Sequence, residues 1–130
     1  MRVRKRYVLL LCLLACYGCG KEKSTDQLID DLKSSQDREQ TVAVRLLPRR
    51  KGDAAKVIPA LIEALKDKDE GVRQGAAIGL GSFGDQAKDA IPALQALQRD
   101  HDVRVREAVG VALSRIDPKF PVPSQSRPGK

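Results

Sequence analysis

The chain has 130 residues, enough for one domain with a processed leader and a short tail. Aromatics make up 3%, with no Trp and a single His. That composition excludes a ring-lined nucleotide pocket, a stacking platform for single strands and any His-pair metal site. Four of the 24 basic residues (Arg2, Arg4, Lys5, Arg6) precede residue 7, so a chain beginning at Cys16 carries 20 against all 17 acidic ones, a net +3 that is not the charge of a nucleic-acid coat.

The first predicted element is an export signal. Residues 1–20 read MRVRKRYVLLLCLLACYGCG: a basic start, an apolar run, then small residues and cysteines. The apolar stretch from Tyr7 to Cys19 has 13 residues, short of the roughly 20 that a spanning helix needs. All three cysteines (Cys12, Cys16, Cys19) fall here, so the body has no disulfide framework and no Cys-based metal site. Leu13-Leu14-Ala15-Cys16 resembles a bacterial lipobox, whose Cys is lipidated and becomes the mature N-terminus. Leu14 departs from that pattern, which more often has a small residue there. Tyr17-Gly18-Cys19-Gly20 is the second candidate, giving Cys16 first and Cys19 as its alternative. The reading is a signal peptide over residues 1–15 and a polar tether over 16–26. Three hydrocarbon chains on the Cys would hold the protein at a membrane surface without spanning it.

Residues 27–117 repeat with a period of about 33. Leu28-Ile29-Asp30-Asp31-Leu32-Lys33 aligns with Leu61-Ile62-Glu63-Ala64-Leu65-Lys66, and Ile58-Pro59-Ala60-Leu61 with Ile91-Pro92-Ala93-Leu94. Asp67-Lys68-Asp69 aligns with Asp100-His101-Asp102, and Val72-Arg73 with Val105-Arg106. Each copy reads as two helices. In the middle copy, Val72, Ala76, Leu80 and Phe83 form a helical stripe, with Asp69 as N-cap and Gly84 as stop. Its second helix runs from Asp89 to Gln98, with Ile91, Leu94 and Leu97 three apart and Pro92 in the first turn. The last copy, Asp102 to Ile116, puts Val105, Val109, Leu113 and Ile116 on one face. Leu80 and Leu94 are predicted core residues. Gly75, Ala76, Ala77 and Gly79 are expected to let the two helices of a repeat approach closely. Such pairs bury their apolar faces only by stacking, so the predicted fold is an all-α, short α-solenoid of two and a half to three copies. Residues 118–130 are expected to form a flexible, Pro-rich tail.

Val72-Arg73-Gln74-Gly75-Ala76-Ala77-Ile78-Gly79-Leu80-Gly81 resembles the first helix of a HEAT repeat, in particular the HEAT-like repeats of the phycobiliprotein-lyase type. Asp102-Val103-Arg104-Val105-Arg106-Glu107-Ala108 resembles the same helix start, and Val57-Ile58-Pro59-Ala60-Leu61 and Ala90-Ile91-Pro92-Ala93-Leu94 resemble the second helix. The resemblance implies an interaction scaffold and a ladder of Asp and Arg six residues apart. Asp67/Arg73 and Asp100/Arg106 fit that ladder, while the first copy has Ser34 and Gln40 instead. The first copy also carries Pro48 inside its first helix, where the second has Gly81, and reads as a cap or a divergent repeat.

Candidate chemistry in the body is sparse. His101 sits between two aspartates in a turn and reads as solvated. The junction carboxylates read as helix caps. Arg49-Arg50-Lys51 is the one basic run in the body and reads as a solvated loop, with contact to acidic headgroups as the sharper alternative. The polar positions of the second helices, Glu63, Lys66, Gln95, Gln98 and Arg99, form a low-charge strip suited to a protein surface. The expectation is therefore a non-enzymatic scaffold with a protein partner, exported and lipid-anchored at a bacterial membrane. No cofactor, metal, small-molecule substrate or nucleic acid is expected. The alternatives are an accessory subunit of a bilin lyase or isomerase, implied by the resemblance, and a helical-repeat nucleic-acid binder.

Overall fold

The computed structural model describes residues 22–121. The expected signal peptide, Cys16, Cys19, most of the tether and residues 122–130 of the expected tail lie outside the described residues. Six α-helices and four short 3-10 turns make up the described chain. They are α1 (Thr25–Leu32), α2 (Asp37–Leu46), α3 (Ala54–Ala64), α4 (Glu70–Phe83), α5 (Ile91–Ala96) and α6 (Val103–Ile116). The pairs α2/α3 and α4/α5 are two complete repeats, and among the described residues α1 is a second helix without its first and α6 a first helix without its second. The fold is the expected all-α solenoid.

The first helices α4 and α6 start for the same local reason, whereas α2, with Gln36 at its N-cap position, has no side-chain cap. Asp67 Oδ1 accepts from Asp69 N, and Asp69 Oδ1 then accepts from Val72 N, both at 2.9 Å. One repeat later, Asp100 Oδ1 accepts from Asp102 N at 2.9 Å, and Asp102 Oδ1 caps Arg104 N and Val105 N. A short aspartate turn thus leads into an aspartate N-cap each time. Helix α4 ends at Gly84, whose φ of +56° is open to glycine and costly for other residues.

The apolar stripes face a single core. Val72, Ala76 and Leu80 are fully buried and Phe83 nearly so. Val105, Val109, Leu113 and Ile116 do the same on α6, and Leu94 is fully buried on α5. These residues belong to one cluster that runs from Leu28 to Ile116.

Four local features differ from expectation. Helix α1 begins at Thr25, inside the expected tether, because Ser24 and Gln27 form a capping box: Ser24 Oγ accepts from Gln27 N and Ser24 N donates to Gln27 Oε1. Pro48 is not within α2. The helix stops at Leu46, and Pro48, which has no N–H to continue the ladder, sits in a 3-10 turn over Leu47–Arg49. Helix α5 is shorter than predicted: Gly84–Ala90 is 3-10, interrupted at Ala87, and Leu97–Arg99 closes as another 3-10 turn. Phe120, in the expected tail, packs against the core, with its N–H donating to Asp117 O at 3.0 Å.

The small residues of α4 act between repeats, not within one. A Cβ on Gly75 would stand 2.8 Å from Val44 Cγ1 of α2. One on Gly79 would stand 2.8 Å from Pro48 Cγ, and one on Gly81 would stand 2.9 Å from the Ala112 Cα of α6. Glycine lets α4 approach the preceding first helix on one side and the following one on the other.

Candidate functional site

Two stripes run along α4. One is the core stripe. The other, Gly71, Gly75, Ile78 and Ser82, faces away from it and forms one wall of a groove of about 720 Å³. Thr41, Val44, Arg45, Pro48, Arg49 and Lys51, from α2 and the turns after it, form the other wall. The floor is apolar because Gly75 and Gly79 admit Val44 and Pro48 so closely. Ile78 stays 52% exposed on the wall.

All three ionisable side chains lining the groove are cationic: Arg45, Arg49 and Lys51. Lys51 is held in place. Its Nζ donates to Ser82 O at 2.6 Å and to Ser82 Oγ at 2.8 Å, and lies 3.9 Å from the centre of the Phe83 ring. Loss of water around that ammonium pushes its pKa below the ordinary lysine value. The basic run is therefore divided. Arg49 and Lys51 line the groove, while Arg50 turns away to donate to Lys23 O at 3.0 Å and to face Glu22.

A buried polar ladder lies elsewhere in the stack. Arg73 donates through Nε and Nη2 to the two carboxylate oxygens of Asp100, at 2.9 and 3.1 Å. Its Nη1 donates to the carbonyls of Asp67 and Lys68. The side chains of Arg73 and Asp100 are only 6% and 5% exposed. The Arg73 guanidinium, first by its hydrogen bonds, holds the Asp100 pKa below its ordinary value against the opposing effect of burial. The ladder thus crosses from one repeat to the next, whereas spacing alone suggested Asp67 with Arg73. Gln40 takes the arginine position one repeat earlier: its Nε2 donates to Asp67 Oδ2 at 3.2 Å and to Leu32 O at 3.3 Å. His101, 83% exposed, flanks the Arg73–Asp100 pair in the turn.

The polar strip expected on the second helices is exposed throughout. Glu63 lies on α3 and accepts a 3.0 Å ion pair from Lys66 in the following turn. Gln95 lies on α5, and Gln98 and Arg99 lie in the 3-10 turn after it. The structure joins Glu63 to Lys66 and forms no bond between that pair and Gln95, Gln98 or Arg99 among the described residues. Sequence reasoning missed the groove. Its trace was the second helical stripe on α4 and the off-stripe Ile78. Among the described residues no group of three or more His, Cys, Asp or Glu side chains is placed to hold a metal ion, and no helix is long and apolar enough to cross a membrane.

Comparison with known proteins follows the architecture. A chain in the structure of the complex of CpcE and CpcF of phycocyanin lyase from Nostoc sp. PCC7120 is similar, with a TM-score of 0.67 and 27% identity. The match covers 75% of this chain and 38% of that one, so this chain spans little more than a third of the length of its relative. Comparison with curated protein sequences gives no match. Residues 25–114 match the family described as HEAT repeats, a stretch well over half of the sequence that starts where α1 starts. The chain belongs to the HEAT repeat family.

Proposed function

We propose that this chain is a non-enzymatic scaffold that binds a protein partner along its helical stack, and that it is exported and held at a bacterial membrane surface by lipid on Cys16 or, failing that, Cys19. The observation that carries the binding role is the stack itself: repeats over residues 25–114 leave an open groove and an exposed polar strip rather than an enclosed pocket. Repeat scaffolds use such extended surfaces for recognition. The basic, apolar and Cys-bearing leader supports the location.

The strip on the second helices is tested by reversing charge at Lys66 together with Arg99. Partner recovered by co-purification is expected to fall while the helical circular dichroism signal stays intact; unchanged recovery removes the strip from the binding surface. For the location, Cys16→Ser is expected to shift the protein from membrane to soluble fractions or to block its processing. Unchanged fractionation of both Cys16→Ser and Cys19→Ser would rule out the lipid anchor.

A second reading is an accessory subunit of a bilin lyase. The likeness to a chain of the CpcE–CpcF complex favours it. Adding the purified chain to a bilin attachment assay distinguishes the two: a rate that depends on the chain supports the accessory role, and an unchanged rate leaves the scaffold alone.

A further inference from the structure

The groove between α2 and α4 has a chemistry that specifies its occupant. We propose that it docks an acidic, amphipathic helical segment of a partner protein, an inference that rests on the scaffold reading and names the partner's chemistry.

Three observations carry it. The floor and one wall are apolar, built from Val44, Pro48 and the half-exposed Ile78. Every ionisable lining group is positive, and among the described residues neither Arg45 nor Arg49 is engaged by a carboxylate. The groove is long and open: from Gly71 to Ser82 it follows α4 for about 16 Å, three turns of a helix laid along it. A segment with leucine-like residues on one face and Asp or Glu on its flanks would place apolar atoms on Ile78 and Pro48 and carboxylates beside Arg45 and Arg49. Arg45 lies in the last turn of α2 and Arg49 in the 3-10 turn that follows it, and both line the groove.

Charge excludes the occupants nearest to hand. The stretches of this chain outside the described residues carry Arg2, Arg4, Lys5, Arg6, Lys21, Arg127 and Lys130 and no carboxylate side chain. They would be repelled. The acidic helix α1 of a second copy is not free: Leu28 and Leu32 are buried in its own core, and Asp26 and Asp31 are paired with Lys56 and Lys23. With those two occupants set aside, the proposed occupant is a segment of a different chain.

The test uses the full chain and a fluorescent synthetic peptide of about 12 residues, long enough for three turns, with Leu on one face and Glu on its flanks. A control peptide has Lys in place of every Glu. Fluorescence anisotropy is expected to show binding of the Glu peptide at least about tenfold tighter than the Lys peptide, weakening as salt rises. Arg45→Glu with Arg49→Glu is expected to reduce Glu-peptide affinity by at least about tenfold. Should circular dichroism show that variant unfolded, Arg45→Gln with Arg49→Gln is read instead, and Ile78→Ser provides a charge-neutral arm. Equal binding of both peptides, or affinity unmoved by these changes, overturns the proposal. So does binding of vesicles of phosphatidylglycerol in phosphatidylcholine through the same arginines without binding of the Glu peptide. Co-purification of a cellular partner separates the two levels. If the partner is retained by the groove variants, the groove assignment alone fails; if none is recovered by the unaltered chain, the scaffold reading fails with it.

Discussion

Arg73 sits inside a helix, almost without solvent, yet its guanidinium donates to four oxygens, both of the Asp100 carboxylate and the carbonyls of Asp67 and Lys68. That arrangement makes the pair strong only as a pair. Removing one member strands a buried charge, at a cost of about 3–5 kcal/mol, whereas removing both is far milder. Arg73→Met is therefore expected to take away much of the domain's stability, and adding Asp100→Asn to it is expected to restore part of the loss, as measured by urea denaturation. The same pair gives the fold an acid-labile element. Because the Asp100 pKa is lowered on folding, its contribution is complete above the ordinary carboxylate range and disappears as pH falls through the folded value. Asp100→Asn is expected to flatten the stability profile on the acid side, and a profile unchanged below pH of about 4 would contradict this. One position earlier in the ladder, Gln40 leaves its Oε1 buried without a donor. Gln40→Arg, which reproduces the Arg73 fork against Asp67, is expected to raise stability by about 1 kcal/mol, read as an increase in Tm. The sequence carried the Asp and Arg positions plainly. It did not carry their pairing, because arginine reach spans the gap to the next repeat, and that gap is a property of the stacking and not of the spacing.

At the scale of helices, Gly75, Gly79 and Gly81 of α4 are not equivalent. Glycine to alanine within a helix gains up to about 1 kcal/mol of propensity, so the outcome turns on what the new methyl meets. At Gly75 it meets the methyls of Val44, a side chain; at Gly81 it meets the Ala112 backbone, which shifts only if α6 moves. Gly81→Ala is expected to be destabilising by about 1–3 kcal/mol, and Gly75→Ala is expected to cost markedly less, both read by thermal melting. Equal effects would mean that helix spacing, not local contact, is set elsewhere. Helix existence, caps and core stripes were legible here because periodicity and aspartate turns are local signals, and Leu80 and Leu94 lie in the core as expected. The length of α5 was not legible. Gly84-Asp85 and Ala87-Lys88 match Gly52-Asp53 and Ala55-Lys56, where the chain passes from a 3-10 turn into α3 at Ala54, but here Gly84 has positive φ and the 3-10 turn runs on to Ala90. The groove was illegible for a related reason: it is a space between two helices, and its walls look in sequence like ordinary solvent-facing positions.

Across the whole molecule, one continuous core joins the repeats. Leu80→Ala and Leu94→Ala, each at a fully buried site, are expected to lower global stability by about 2–5 kcal/mol in a single cooperative transition. A separate early transition would show that the repeats melt independently. The polar ladder makes the joints unequal. The joint between α4 and α6 is fastened by a two-pronged ionic link from Arg73 to Asp100, while at the joint between α2 and α4 the ladder has a neutral amide bond from Gln40 to Asp67, with the exposed Lys51 donating to Ser82 on the other side. Drawn along its axis, as a protein tethered at one end and gripped at the other would be, the stack is expected to part first at the seam between α2 and α4, where the ladder has a neutral amide in place of the buried ion pair. The open groove lies over that same seam, so whatever settles across α2 and α4 also acts as a clasp, turning occupancy of the surface into resistance to pulling.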